Sequence, residues 1–304
     1  MQFSTIITNH NYGRYLRQAI DSCLVQKDSG QVIVVDDGSS DDSQNILAEY
    51  RGRIEVVLHP QALGQGPALR DGMQRATGDW IAFLDADDYF LPEKFARLRA
   101  TLAAHPTTQW VFHPLLRVDA SGIPLAGHAI GPAPDLGRNA VAAHLRHGRL
   151  PYLDTSTSGL SFSKNLAQSF FPLPDLKHKS FHDNYFKFIS VGLHEGRWVA
   201  EPLSHMRIHG ANDYSGKNDR HRGFDAKRGY PKLYIAEACA KRDPALLMLA
   251  TSLYVSGCAD IGWSCRTWHT DHPHAAEFPH LRTLRSPALY GRFLVNWLRR
   301  CLGR

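Results

Sequence analysis

The first ninety residues alternate between short apolar runs and longer stretches whose apolar positions recur at helical spacing. Residues 3–8 (FSTIIT) are a β-rich run, and residues 15–25 carry Leu16, Ala19, Ile20, Cys23 and Leu24 at intervals of three and four. This predicts a strand followed by a helix. Residues 31–35 (QVIVV) are almost continuously apolar and stop at Asp36-Asp37-Gly38-Ser39; a helix is predicted over 43–50, with Asp42 or Ser43 as its cap. A third strand is expected over 54–58, a Gly-containing turn at 63–66, a helix over 67–76 and a fourth strand over 80–84, which ends at Asp85-Ala86-Asp87-Asp88. Strands apolar on both faces, alternating with helices, predict an α/β fold with a mainly parallel sheet flanked by helices.

Beyond residue 110 the order is less regular. Residues 110–118 are strand-like, 127–137 form a Gly/Pro-rich loop, and helical patterns follow at 140–147 and 182–191. A charged, Gly-containing stretch (217–229) leads into a helical region over 231–265. The tail places Leu289, Tyr290, Phe293, Leu294, Trp297, Leu298, Cys301 and Leu302 on one stripe, with Arg292, Asn296, Arg299 and Arg300 largely between them. A basic amphipathic helix over 288–302 fits a membrane interface with anionic headgroups, and equally fits packing on the rest of the chain or on a second subunit.

Composition narrows the class. Hydrophobic residues make up 43% and charged residues 21%, enough apolar content for a core and unlike a disordered chain. The formal net charge of +6 favours anionic partners without choosing among them, and no nucleic-acid-binding module accompanies it. No apolar run reaches the roughly 18 residues that span a bilayer, and no export signal is visible. The five cysteines (Cys23, Cys239, Cys258, Cys265, Cys301) lack the paired spacing of a zinc site. The expected location is the cytoplasm, with a peripheral position on the inner membrane face if the tail helix binds lipid.

The candidate chemistry lies at the carboxyl ends of two predicted strands, where ligands of open α/β sheets bind. Asp36 and Asp37 follow the second strand; Asp85, Asp87 and Asp88 follow the fourth. Carboxylates converging on one rim repel one another unless a cation, a donor-rich ligand or solvent relieves them. A hard divalent cation, Mg²⁺ or Mn²⁺, answers this economically and leaves positions open for phosphates.

Six segments then agree in order and rough spacing: IITNHN, VVDDGSSDDS, LGQGPALRDGMQRATGDWIAFLDADD, TSTSGLSFSKN, FHDNYFKFISVG and EPLSHMRIHGAN. Together they resemble inverting glycosyltransferases of family 2, over about residues 3–215. The resemblance implies a GT-A fold, with a nucleotide-sugar-binding half (1–109), an acceptor-binding half (110–215) and a mainly helical C-terminal extension (216–304). It implies a metal-dependent transfer from a nucleotide diphosphate sugar, UDP-sugars being the default donor, to an acceptor hydroxyl on a glycan or lipid-linked saccharide. By position, Thr8 and Asn9 resemble the start of the base pocket, Asp37 the carboxylate that meets the base, and Arg70 the arginine that contacts the nucleotide. Asp85 resembles the ribose-side member of the DxD motif, and Asp87 the carboxylate that holds the metal on the diphosphate. Asp88 is a candidate supporting ligand.

In the second half, Asp183 resembles the general base, although family members usually show Glu-Asp where this chain has His182-Asp183. Read without the resemblance, Asp183 equally suits an N-cap of the helix after it. Arg207 and His209 resemble an Arg-x-His element that closes over the diphosphate or touches the metal. Gly159 fits a backbone approach near the acceptor, for which His182 is a further candidate, and equally fits a plain turn. Two rivals remain in view. A haloacid dehalogenase-type phosphohydrolase also uses a DxD motif, but on its first strand and without a residue like Tyr89 two positions on. A non-catalytic sugar-nucleotide or glycan-binding relative is the alternative of another class.

Overall fold

The computed structural model describes residues 1–28, 30–126, 153–171, 173, 182–210, 226–243, 246–260 and 278–283. The tail helix expected over 288–302, the loop over 127–137 and the helix over 140–147 lie outside these residues. The chain divides into two compact units. The first comprises Met1–Ala133, Leu153–Leu173 and Glu195–Asn218; the second comprises Pro134–Tyr152, Pro174–His194 and Asp219–Arg304.

In the first unit, strand and helix alternate as β1 (Phe3–Asn9), α1 (Gly13–Leu24), β2 (Gln31–Asp37), α2 (Ser43–Glu49), β3 (Glu55–His59), α3 (Gln65–Arg75) and β4 (Trp80–Asp85). There follow β5 (Tyr89–Phe90), α4 (Lys94–Ala104), β6 (Trp110–Phe112), β7 (Leu115–Val118), β8 (Leu160–Ser163), α5 (Lys164–Ser169), β9 (Gly196–Trp198) and β10 (Ser204–Arg207). Seven strands form one sheet in the order β3-β2-β1-β4-β8-β6-β9. β3, β2, β1 and β4 are parallel, β8 runs antiparallel to both its neighbours, and β9 is parallel to β6. A smaller sheet has the order β5-β10-β7.

The core explains the pattern of the sequence. Phe3, Ile7, Val32, Val34, Ala82 and Leu84 face a cluster that includes Leu16, Ala19, Ile20 and Cys23 of α1, the residues its spacing singled out. α3 lies so close to the sheet that a Cβ at Gly72 would stand 2.5 Å from Ile6 Cγ2, which is why a helix-weakening glycine sits mid-helix. The strand-like run 110–118 is two strands in different sheets. Pro114 divides it, having no N–H for a ladder bond.

The second unit contains α6 (His182–Leu193), α7 (Ala226–Arg242), α8 (Leu247–Asp260) and a 3-10 turn (His280–Thr283). The helical region expected over 231–265 is thus two helices rather than one, consistent with Pro244, which cannot continue a helix. Tyr185, Phe186, Ile189, Leu233, Cys239, Leu253 and Tyr254 are buried. Glu237 of α7 accepts the backbone N–H groups of His280 and Leu281, both at 2.9 Å, and pairs with the His280 ring. No helix among the described residues is long and apolar enough to cross a membrane.

Candidate active site

Parallel register brings the acidic strand ends to one rim. Thr8 is level with Val35 on one side and Asp85 on the other; Asn9 is level with Asp36, and Asp37 with His59. The Asn9 amide donates to Asp36 Oδ2 (2.6 Å) and Ser43 Oγ (2.9 Å), fastening the end of β1 to the Asp-Asp-Gly-Ser loop. Its Oδ1 is buried and has no partner among the described residues. Thr8 contributes its carbonyl, which accepts the Ala86 N–H at 3.3 Å.

Asp37 is buried and receives three donors: the Leu63 N–H (2.8 Å) and His59 Nδ1 (2.7 Å) on Oδ1, and the Gly64 N–H (2.7 Å) on Oδ2. His59 Nε2 lies 3.0 Å from Asp71 Oδ2, and Arg70 Nε donates to Asp71 Oδ1 at 2.7 Å. Asp37 and Arg70 are therefore joined through two residues the sequence did not single out. Burial pulls the His59 pKa down, but the hydrogen bonds with Asp37 and Asp71 outweigh it and raise it. An imidazolium donating at both nitrogens fits this place.

On the fourth strand, Asp85 is partly exposed and accepts the Gln65 amide at 3.2 Å. Asp87 Oδ2 faces His209 Nε2 at 3.0 Å. Burial raises the Asp87 pKa, while His209 opposes the shift. Asp88 is held on both oxygens: the Arg207 N–H donates to Oδ1 (2.9 Å) and the Ser158 hydroxyl to Oδ2 (2.6 Å). Burial first, then Asp87 and Asp85, raise its pKa well above the usual carboxylate range. This carboxylate fastens the loop to β10 and to the turn before β8.

Arg207 is buried, and its side chain is committed to the protein. Nε donates to the Asp87 carbonyl (3.0 Å), one terminal nitrogen to the Ala120 carbonyl (2.8 Å) and the other to Gln18 Oε1 (2.5 Å). Its guanidinium carbon lies 4.5 Å from the Tyr15 ring centroid and 5.3 Å from that of Tyr89. His209 Nδ1 is 3.4 Å from an Arg14 nitrogen, and the His209 ring packs on Tyr12 and Tyr15. Arginine has only donors, so Nδ1 accepts and Nε2 carries the hydrogen that faces Asp87.

Below the loop lies Lys94, at the start of α4 and fully buried. Its Nζ donates to the Ser158 carbonyl (2.9 Å) and Ser204 Oγ (3.2 Å) and sits 3.6 Å from the Phe90 ring centroid. Burial pushes its pKa well below the ordinary lysine value. The signal was present in the sequence: Lys94, Leu98 and Leu102 share one helix face.

Gly159 belongs to a 3-10 turn, Thr157–Gly159. A Cβ there would stand 1.9 Å from Thr155 Oγ1 and 2.5 Å from the His113 carbonyl, so close packing requires glycine. Gly159→Ala is expected to destabilise the protein by about 1–3 kcal/mol through overpacking, measured as a fall in the denaturant midpoint; an unchanged midpoint would show that the turn yields.

In the second unit, Asp183 stands in the first turn of α6. Its Oδ2 lies 3.2 Å from Lys187 Nζ, one turn on, with Lys187 buried.

No three His, Cys, Asp or Glu side chains among the described residues form a group able to hold a metal unaided. The facing Asp87 carboxylate and His209 imidazole, with Asp85 on the same loop, nevertheless suit Mn²⁺ or Mg²⁺. Such ions take one or two protein ligands and complete their shell with phosphate and water oxygens.

Residues 4–122 match the model of glycosyl transferase family 2. An uncharacterized glycosyltransferase of Nostoc sp. is 32% identical over 218 residues, spanning 70% of this chain and 67% of the relative. The chain belongs to glycosyl transferase family 2. This glycosyltransferase is also 36% identical over 105 residues to an uncharacterized Mycoplasma pneumoniae glycosyltransferase, though that alignment spans 35% of the relative. Among solved structures, residues 1–349 of S. aureus TarS in complex with UDP-GlcNAc match with a TM-score of 0.63 at 16% identity, over 93% of this chain and 79% of that one. The mannosyltransferase PcManGT of Pyrobaculum calidifontis, solved with GDP-Man and Mn²⁺, matches at 0.50 and 15% identity, over 100% and 88%. The fold is GT-A, as the sequence motifs implied.

Proposed function

We infer that this glycosyltransferase moves a sugar from a nucleoside diphosphate donor, with UDP-sugars favoured, to an acceptor hydroxyl with inversion at the transferred carbon. Residues 1–109 would hold the donor, residues 110–215 the acceptor, and 216–304 would form the extension. The observation that carries the reading is the Asp87–His209 pair, 3.0 Å apart beside Asp85 at the end of β4. Those groups would hold Mn²⁺ or Mg²⁺, which supplies positive charge to a departing diphosphate. Two solved relatives by fold, one with UDP-GlcNAc and one with GDP-Man and Mn²⁺, support this kind of donor.

Asp183 is the proposed base. It takes the proton of the acceptor hydroxyl as that oxygen bonds to the sugar carbon; the bond from carbon to phosphate oxygen breaks, and its electron pair leaves with the nucleoside diphosphate. Glycan or lipid-linked acceptors for surface polysaccharide synthesis fit this chemistry, as does a position at the cytoplasmic face of a membrane.

Calorimetry with UDP, GDP and dTDP tests the donor side. One of them is expected to bind in Mn²⁺ and to bind far more weakly in EDTA. Equal affinity in both buffers would defeat the metal assignment.

A further inference from the structure

Two guanidinium groups and an imidazole gather around one aromatic ring. The guanidinium carbons of Arg14 and Arg207 lie 4.4 and 4.5 Å from the Tyr15 centroid, and the His209 ring centroid lies 5.1 Å from it. The family pattern points to Arg207 as the cation that closes over the diphosphate. The structure gives Arg207 other obligations. It is 2% exposed, and each of its three guanidinium nitrogens donates to a protein oxygen, two of them backbone carbonyls that fix the Asp87 loop and the 119–122 turn. Turning it toward a ligand would orphan those acceptors.

Arg14 differs in each respect. It is the second residue of α1 and exposed. Its hydrogen-bonding partner among the described residues is His209 Nδ1, at the long distance of 3.4 Å. That histidine separates it from Asp87, the carboxylate proposed to hold the metal on the diphosphate. The end of α1 does not itself present its first N–H to an anion, because Gly13 donates to Asp41 at 2.8 Å. The side chain of Arg14 is therefore an available cation beside the metal pair, with a planar fork of donors that matches phosphate oxygens.

We propose that Arg14, released from His209, binds the diphosphate of the donor, while Arg207 is a positioning residue that holds the acidic loop. The proposal rests on the donor reading above. The test is titration of the full-length protein in Mn²⁺ with whichever of UDP, GDP and dTDP binds, and with the matching nucleoside by competition. Arg14→Gln is expected to weaken the diphosphate by roughly 10- to 100-fold, the scale of one charged hydrogen-bonding group. The nucleoside should bind as to wild type, and Arg14→Lys should recover part of the loss. Undiminished diphosphate affinity in Arg14→Gln, or equal weakening of diphosphate and nucleoside, overturns the assignment and leaves the donor reading intact. A wild-type protein that binds none of the three nucleotides removes the donor reading, and this proposal with it.

Discussion

In Asp183→Asn, sugar transfer is expected to fall by roughly 10² to 10⁴ while donor affinity is kept, the usual contribution of a positioned base. Asparagine preserves the shape of the side chain and removes the ability to take a proton. The substitution also removes the negative charge facing Lys187, whose side chain is 6% exposed. Some loss of stability follows, but less than the about 3–5 kcal/mol of a fully buried pair, because the Asp183 side chain keeps 18% of its surface. Turnover, read as released nucleoside diphosphate with an envelope glycan extract as acceptor, therefore has to be measured below the melting point of the variant. Turnover within a few-fold of wild type would place the base elsewhere and leave Asp183 as half of an i,i+4 ion pair.

Asp87→Ala attacks the other half of the chemistry. It is expected to weaken the nucleoside diphosphate in Mn²⁺ by at least about 100-fold, the upper end of what losing a mere outer-shell partner of a metal ligand costs. The residual affinity should then be the same in Mn²⁺ and in EDTA. A variant that still gains affinity from Mn²⁺ would show that the cation is held without Asp87. Circular dichroism and a melting curve separate this from general damage, since the carboxylate facing His209 Nε2 is lost too.

The parts of the site legible in the sequence are those set by position along a strand. The apolar runs that end at Asp36-Asp37 and Asp85-Ala86-Asp87-Asp88 are strands, and parallel register alone makes their ends neighbours. Residues whose roles depend on what folds back onto them were not legible. His59 gave no local sign that it would stand between Asp37 and Asp71, and Ser158 looked like one serine among several in TSTSG. Arg207 was picked out, yet sequence could not reveal that its donors would be taken up by Ala120, Gln18 and the Asp87 carbonyl. Arg14 was passed over because it lies off the apolar stripe of α1, the feature that predicts the helix and says nothing of its exposed side. Strand β8 was missed as well, being four residues long and antiparallel in an otherwise parallel setting.

The fastening of Asp88 has a consequence for how the chain becomes competent. Its two partners, Ser158 and Arg207, stand 70 and 119 residues further along. Closing loops of that length carries an entropic cost before any contact rewards it, and topologies rich in such contacts fold slowly. A chain emerging from the ribosome can lay down β1 to β4 early, yet Asp88 stays without its second hydrogen bond, from Arg207, until β10 has been made and has docked. The stretch that matches the family model stops at residue 122, short of both partners. Assembly of the acidic loop is thus a late event, tied to completion of the whole first unit, and a ribosome-bound chain that ends before β10 carries the acidic motif without its support from Arg207.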